Sequence, residues 1–595
     1  MLDFALFLAF LLGSARAADT STEQEAQAFL ATYETLYQSV YTVAQKESWL
    51  ASTDVTPAHD EGRVAGNKAL AALTGNPYVI EKARRLRAHG AELSTLTRRR
   101  LERVWLNAAE NPGTLPEVSA KRVEAESRQS SAMDSFPFCL EREGGKCVRP
   151  TTPNEIDDVL IASRDLSVRL KFWEAAKGSG PALKPGLIEL QGLRNEVARA
   201  FEYPSYFDLQ VAWYEMSTSE MMKMLEDTLK DIQPLYQQLH CWGKYELAKR
   251  YGKPVPKRIP AHWLGNRWAQ EWPGLVEGVD LDPLFKTRTP EWIAKQAEAF
   301  YVSLGFDPLP KTFWEDSDLY PVDPKVRKKN THATAWHIDL DHEVRSLQSI
   351  EPNAYWWGTA HHEFGHIYYF LSYARPEVPI LLRDGANRAF HEGFGDMIAI
   401  AANQQPYLRD VGVLSSTVTI DQTQWLLNEA LGETITFLPF SAGTMSHWER
   451  DLYAGNLPPS EWNARWWQYV RQFQGVDPPE TRGEDLCDAC TKTHINDNPA
   501  YYYTYAIGTV FKYQVHDHIC RAILHQDPRS CDYRGHKEVG DFLKGLLSVG
   551  ATRDWRQLMR EKTGADLSSK PMLDYFSPLM SYLKEQNKGR SCSWE

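Results

Sequence analysis

The sequence predicts a large, mainly α-helical protein with few short strands. Apolar residues recur at three- and four-residue steps over long stretches, the spacing of a helix face, while alternating runs that would mark half-buried strands are scarce. Ser21 and Gln24 form a capping-box pattern. After them, Phe29, Tyr33, Leu36, Val40 and Val43 predict a core-facing stripe on the first helix. Further amphipathic helices are expected around 163–174, 219–251 and 292–304. The best strand candidate is 332–340.

A chain of 595 residues would on length alone divide into about four domains. No Gly/Ser linker, low-complexity tract or internal repeat supports that division, so one domain over 18–595 is expected. Aromatic residues make up 12% of the chain, including 20 Trp, enough for an extensive core and for cleft walls. A formal charge of −12 argues against nucleic acid as a partner, which calls for a basic patch. Residues 2–12 form a short apolar run, broken only by Asp3, and lead to Ala15-Arg16-Ala17, the pattern of a secretory signal peptide over 1–17. No other run approaches the eighteen apolar residues of a membrane span, so a secreted or periplasmic protein without a membrane anchor is expected. Eight cysteines fit an oxidising compartment. The absence of any N-x-S/T sequon points toward a bacterial source.

The chemistry is concentrated in His361-His362-Glu363-Phe364-Gly365-His366, which contains H-E-x-x-H inside an apolar, aromatic run. Residue frequencies give about 0.03 chance copies of this motif in such a chain. On a helix, His362 and His366 project from one face and suit a single Zn²⁺, and Glu363 lies where it can take a proton from water. A catalytic zinc needs a third protein ligand. Glu392 and Asp396 are again one turn apart: the first can meet the metal, the second the free N–H of a ligand histidine. Alone, this pair would read as a solvated acidic face; beside H-E-x-x-H it reads as part of the site.

Taken with Gly385-Ala386-Asn387 and Phe390-His391-Glu392, these residues resemble the angiotensin-converting enzyme family of zinc peptidyl-dipeptidases. His332-Ala333-Thr334-Ala335-Trp336, the segment from Pro260 to Gln270, Lys492-Thr493-His494 and Tyr501-Tyr502-Tyr503-Thr504-Tyr505 carry the likeness further. The resemblance implies a large two-lobed helical fold with a deep central cleft, covered by a lid of helices from about 20–125. It implies one Zn²⁺ per chain on His362, His366 and Glu392, with Glu363 as base and Asp396 behind a ligand. It implies Tyr505 as transition-state donor assisted by His494. It implies a clamp of Gln270, Lys492 and Tyr502 for the substrate's terminal carboxylate, with His332 and Ala333 holding the peptide chain.

The cysteine pairs Cys139–Cys147 and Cys520–Cys531 resemble family disulfides. For Cys487-Asp488-Ala489-Cys490 a local disulfide is preferred to a zinc site or a redox motif, and Cys241 and Cys592 have no evident partners. Two departures stand out. The stretch between His366 and Glu392 is longer than the family pattern, near Arg375–Pro379. Thr504 replaces the arginine of chloride-activated members, so bound chloride is not expected to matter greatly.

The expected function is release of C-terminal dipeptides from oligopeptides with a free C-terminus. An internally cleaving helical oligopeptidase would have no use for Lys492 and Gln270. An inactive member acting as a binding module would tolerate loss of a ligand or of the base, and all are present.

Overall fold

The computed structural model describes residues 21–276, 280–432, 434–455 and 457–594. Its first helix, Thr22–Thr53, opens on the expected capping box between Ser21 and Gln24. Only its first half follows the expected stripe. Phe29 and Tyr33 are buried beside Ala26 and Leu30, whereas Leu36 and Val40 are half-buried and Val43 is 56% exposed. The reason is a change of neighbour along the helix. Tyr33, Tyr37 and Tyr41 continue one face as a ladder of rings 5.9 and 5.7 Å apart; Tyr37 packs at the edge of the core, and both Tyr37 and Tyr41 line a cavity. Ala44, on another face, meets the next helix, Pro57–Thr74, where a Cβ on Gly66 would stand 2.9 Å from the Ala44 Cα.

The other expected helices form with boundaries set by their caps. Asp165 caps Leu166–Lys177, and Thr289 caps Pro290–Ser303 with proline in the first turn. Ser217 and Glu220 make a capping box for Thr218–Tyr251, which ends at left-handed Gly252. Helices take 64% of the chain and strands 4%, so the class is mainly α. Each sheet among the described residues has two strands: Cys139–Glu143 with Lys146–Pro150, Ile259–Pro260 with Val476–Asp477, and Thr334–His337 with Val344–Leu347.

The strand expected over 332–340 is therefore shorter, running from Thr334 to His337. Asp339 stops it: Oδ1 accepts hydrogen bonds from Asp341 N and Glu343 N at 2.7 and 3.0 Å, and Leu340 adopts φ +58°. This turns the chain back, pairing Thr334 with Leu347 and His337 with Val344. The first helix docks on the same hairpin. Gln38 Nε2 donates to Asp339 O at 2.9 Å, Asn330 N donates to Ser52 O at 2.8 Å, and Trp49 packs edge-on against Trp336. One apolar cluster runs from Ala26 to Trp594 and surrounds the helices that carry the site.

All eight cysteines are paired. Cys139–Cys147, Cys487–Cys490 and Cys520–Cys531 form as read from the sequence. Cys241 and Cys592, which showed no partners there, bond to each other across 351 residues. Nothing local announces such a pair: it arises because the C-terminal segment returns to the Thr218–Tyr251 helix, where Trp594 packs 4.6 Å from the His240 ring. Four disulfides accord with an oxidising compartment. No described helix is long and apolar enough to cross a membrane. The expected signal peptide, 1–17, lies outside the described residues.

Candidate active site

Asn353 caps the helix Ala354–Tyr373, its side chain accepting from Trp356 N. His362 and His366 leave this helix one turn apart, with Nε2 atoms 3.0 Å from each other. His361 turns the other way and is a core residue, its Nδ1 donating to Trp357 O at 2.8 Å. The helix Phe390–Ala402 brings Glu392 Oε2 to 3.7 Å from His362 Nε2, and Asp396 Oδ1 to 3.1 Å from His362 Nδ1. Ligand atoms of His362, His366 and Glu392 all lie within 4.8 Å of one another.

Glycines set these approaches. A Cβ on Gly365 would stand 3.2 Å from the Gly395 Cα, and one on Gly395 would stand 2.9 Å from Nδ1 and Cε1 of the His362 ring. A Cβ on Gly393 would lie 2.8 Å from Gly508 O in the third helix, Tyr503–His518. Three helices thus meet at glycines, Gly365 on the first, Gly393 and Gly395 on the second and Gly508 on the third. The signal was present in the sequence, in the glycines of H-E-F-G-H and E-G-F-G-D, and sequence reasoning passed over it.

The electrostatics follow from burial and from Asp396. Burial works against charge on His362, but the hydrogen bond and charge of Asp396 outweigh it and lift the ring to about 9. The same carboxylate makes His362 a more basic ligand. Burial also opposes the Asp396 anion, yet Lys512 Nζ at 3.4 Å, together with His362, holds it well below the usual carboxylate range. Sequence reasoning missed Lys512. Burial, then the charge of His362, pushes His366 far down. Burial pushes Glu363 up to about 7. Its Oε2 is buried without a hydrogen-bond partner. Two imidazoles, a carboxylate and an adjacent buried carboxylate with an idle oxygen match the donor set of a catalytic zinc site and its base.

A pocket of about 190 Å³ opens beside this group, lined by Gln270, Glu392, Lys492, His494, Tyr502 and Tyr505 among others. Lys492 Nζ donates to Gln270 Oε1 at 2.8 Å, and the Tyr502 hydroxyl donates to the same oxygen at 3.1 Å. Lys492 is 4% exposed, its ammonium 4.3 Å from the Trp268 ring centroid. Gln270 is aimed by a turn with Ala269 at φ +56°. Gln474, another residue missed in the sequence, holds that turn by donating to Trp268 O and Ala269 O at 3.1 Å each. His494 Nε2 lies 3.5 Å from the Tyr505 hydroxyl, and burial lowers this histidine to about 4. Thr504 is buried and hydrogen-bonds the Tyr214 hydroxyl.

His332 and Ala333 precede the Thr334–His337 strand. His332 is exposed, close enough for its charge to act on Glu392, while Ala333 is half-buried. The structure thus brings Gln270, Lys492, His494, Tyr502 and Tyr505 into one pocket with Glu392, and leaves His332 and Ala333 outside its lining.

The sequence profile of the family described as angiotensin-converting enzyme matches residues 20–594. Angiotensin-converting enzyme from Bos taurus is 30% identical over 609 aligned residues, covering 96% of this chain and 44% of the relative. The Mus musculus enzyme is 34% identical over 74% of this chain and 34% of its own length. The Mesocricetus auratus enzyme is 31% identical over 81% and 38%. The chain spans less than half the length of these relatives. With the match running through both histidine- and carboxylate-bearing helices and nearly to the last residue, this chain belongs to the angiotensin-converting enzyme family of metallopeptidases.

Proposed function

We propose that this protein is a zinc peptidyl-dipeptidase that releases C-terminal dipeptides from oligopeptides, acting in a secreted or periplasmic setting. The observation that carries the reading is the single pocket in which Gln270, Lys492 and Tyr502 converge beside Glu392. His362, His366 and Glu392 would hold the zinc. When bound, zinc polarises the peptide carbonyl and makes water nucleophilic near neutral pH. Glu363, with its idle buried oxygen, takes the proton of the attacking water and passes it to the leaving amine. Attack leaves negative charge on the former carbonyl oxygen, and the Tyr505 hydroxyl, with His494 beside it, donates to that oxygen. Asp396 keeps the proton on His362 Nδ1 and so keeps Nε2 available.

The clamp selects the bond. Lys492, Gln270 and Tyr502 offer a cation and two neutral polar groups to the substrate's terminal carboxylate. Their fixed distance from the histidines then leaves two residues between carboxylate and cut. His332 and the backbone at Ala333 steady the upstream chain, and the helices within 20–125 restrict entry to unfolded peptides.

The test is a timed digest of matched peptides of several lengths, with free or amidated C-termini, read by mass spectrometry. Free peptides should lose dipeptides one after another, and amidation should slow cleavage by at least about ten-fold. Equal cutting of both at scattered internal bonds would assign the chain to the internally cleaving class. No cleavage at any zinc concentration would make it a binding module.

A further inference from the structure

The Cys487–Cys490 disulfide touches none of the metal-binding residues, yet its turn ends just before Lys492. Both cysteines are fully buried. Cys490 N donates to Cys487 O at 3.0 Å, and Lys492 N donates to Ala489 O at 3.0 Å, so the bond closes the turn from which Lys492 leaves. Thr491 joins that turn to the pocket. Its hydroxyl donates to Asp488 O at 2.7 Å and accepts from Trp268 Nε1 at 3.2 Å. The Trp268 ring is the one that lies against the Lys492 ammonium.

The turn holds a conformation that its residues do not favour by themselves. Cys487 has φ +45°, a left-handed geometry that a non-glycine residue keeps only where its surroundings enforce it. The helix Gly180–Ala200 comes so close that a Cβ on Gly180 would collide with Leu486 O and Cys487 O. Next in the chain, the buried carboxylate of Asp488 accepts from Trp467 Nε1 at 2.7 Å and from Arg482 Nε and Nη2 at 3.0 and 2.7 Å. Downstream, Asn496 Nδ2 donates to Cys490 O and to Lys492 O, at 2.9 Å each. Between these two anchors runs one short 3-10 turn, Ala489–Thr491, and the disulfide braces it covalently. Lys492 needs that brace because its side chain is long and its freedom is costly to remove. Its 2.8 Å bond to Gln270 leaves only a few tenths of an ångström, roughly, before it weakens.

Given the dipeptidase reading, on which this inference rests, we infer that the Cys487–Cys490 disulfide is a positioning device for the carboxylate clamp. It fixes the turn that sets Lys492 against Gln270, and so governs recognition of the free C-terminus. None of the hydrogen bonds named above reaches the Ala354–Tyr373 or Phe390–Ala402 helix, so the metal ligands stay in place when the bond is absent.

The experiment compares one hexapeptide, with a free or an amidated C-terminus, on wild-type holoenzyme and on Cys487→Ala/Cys490→Ala. In the variant, KM for the free peptide should rise by about ten-fold or more, while kcat changes by less than about three-fold and the zinc content stays that of wild type. The free-to-amide ratio of kcat/KM should fall from about ten-fold or more to below about three-fold. Cys139→Ala/Cys147→Ala, which removes the local disulfide of the surface hairpin, should leave that ratio unchanged. Where the alanine pair does not fold, Cys487→Gly/Cys490→Ala takes its place, since glycine accepts the left-handed turn without the bond. A wild-type ratio retained in a folded variant shows that Asp488 and Asn496 hold Lys492 unaided, and overturns this inference alone. Loss of zinc together with kcat, or failure of both variants to fold, makes the bond a general structural brace and overturns it as well. Equal rates on free and amidated peptide in the wild type overturn the inference and the reading beneath it together.

Discussion

Gly395→Ala tests whether the helix crossing, rather than the identity of the ligands, sets the metal site. The new Cβ would stand 2.9 Å from Nδ1 and Cε1 of His362 and 3.0 Å from its Cγ. Ordinary contacts begin near 3.5 Å, so the ring must move by about 0.6 Å or more. The helix backbone has little room to yield instead, because Gly395 already lies so near Gly365 that a Cβ on Gly365 would stand 3.2 Å from the Gly395 Cα. Metal sites tolerate about 0.2 Å in ligand distance, and the same movement strains the 3.1 Å contact to Asp396. Loss of such an outer contact lowers metal affinity about 10–100-fold, or roughly 1.4–2.7 kcal/mol. Overpacking should cost about 1–3 kcal/mol of stability besides. Zinc affinity would be measured by competition with a chelator of known strength, and stability by thermal unfolding of the apo protein. A variant that binds zinc within two-fold of wild type would show that the crossing has room to spare, and the reasoning from glycine contacts would be wrong.

Glu363→Gln should keep about one zinc per chain yet lose most turnover, by about 10²–10⁴-fold, as metal analysis and single-turnover rates would show; normal rates would remove Glu363 from the chemistry. Chloride should change the rate little at matched ionic strength, because Thr504 is neutral and already bonded to Tyr214; strong activation would point to another cation, with Arg388 the first to substitute. Burial lowers His240 to about 3 and His516 to about 4. Below about pH 6.5 the unfolded chain therefore binds protons that the fold does not, and Tm should fall steadily as pH drops from 6.5 toward 4; a Tm that stays flat over that range would contradict the assignment of neutral buried rings. Cys592→Ser should destabilise the fold by about 2–5 kcal/mol, read as a lower denaturation midpoint without loss of zinc, since the bond lies far from the metal helices in sequence and ties only the C-terminal segment.

What the sequence determined by itself is whatever lies within one helical turn. His362 with His366, Glu392 with Asp396, and Ser21 with Gln24 are neighbours because of the 3.6-residue period, whatever the rest of the chain does. For the same reason the helix starts at Ser217 and Thr289 could be read to within three residues. Periodicity could not say what a helix face would meet. The stripe from Phe29 to Tyr33 enters the core while Tyr37 and Tyr41 face a cavity, and both look alike as apolar spacing. Only the tertiary structure brought Lys492 to Gln270 across 222 residues and Cys241 to Cys592 across 351. It alone set Arg103 and Arg388 within 5.3 and 5.4 Å of the Trp213 ring. Those meetings depend on how closely helices cross, and at Gly365, Gly393, Gly395 and Gly508 that distance is set by missing side chains. An absent atom has no period of its own, so its effect appears only when another helix fills the space.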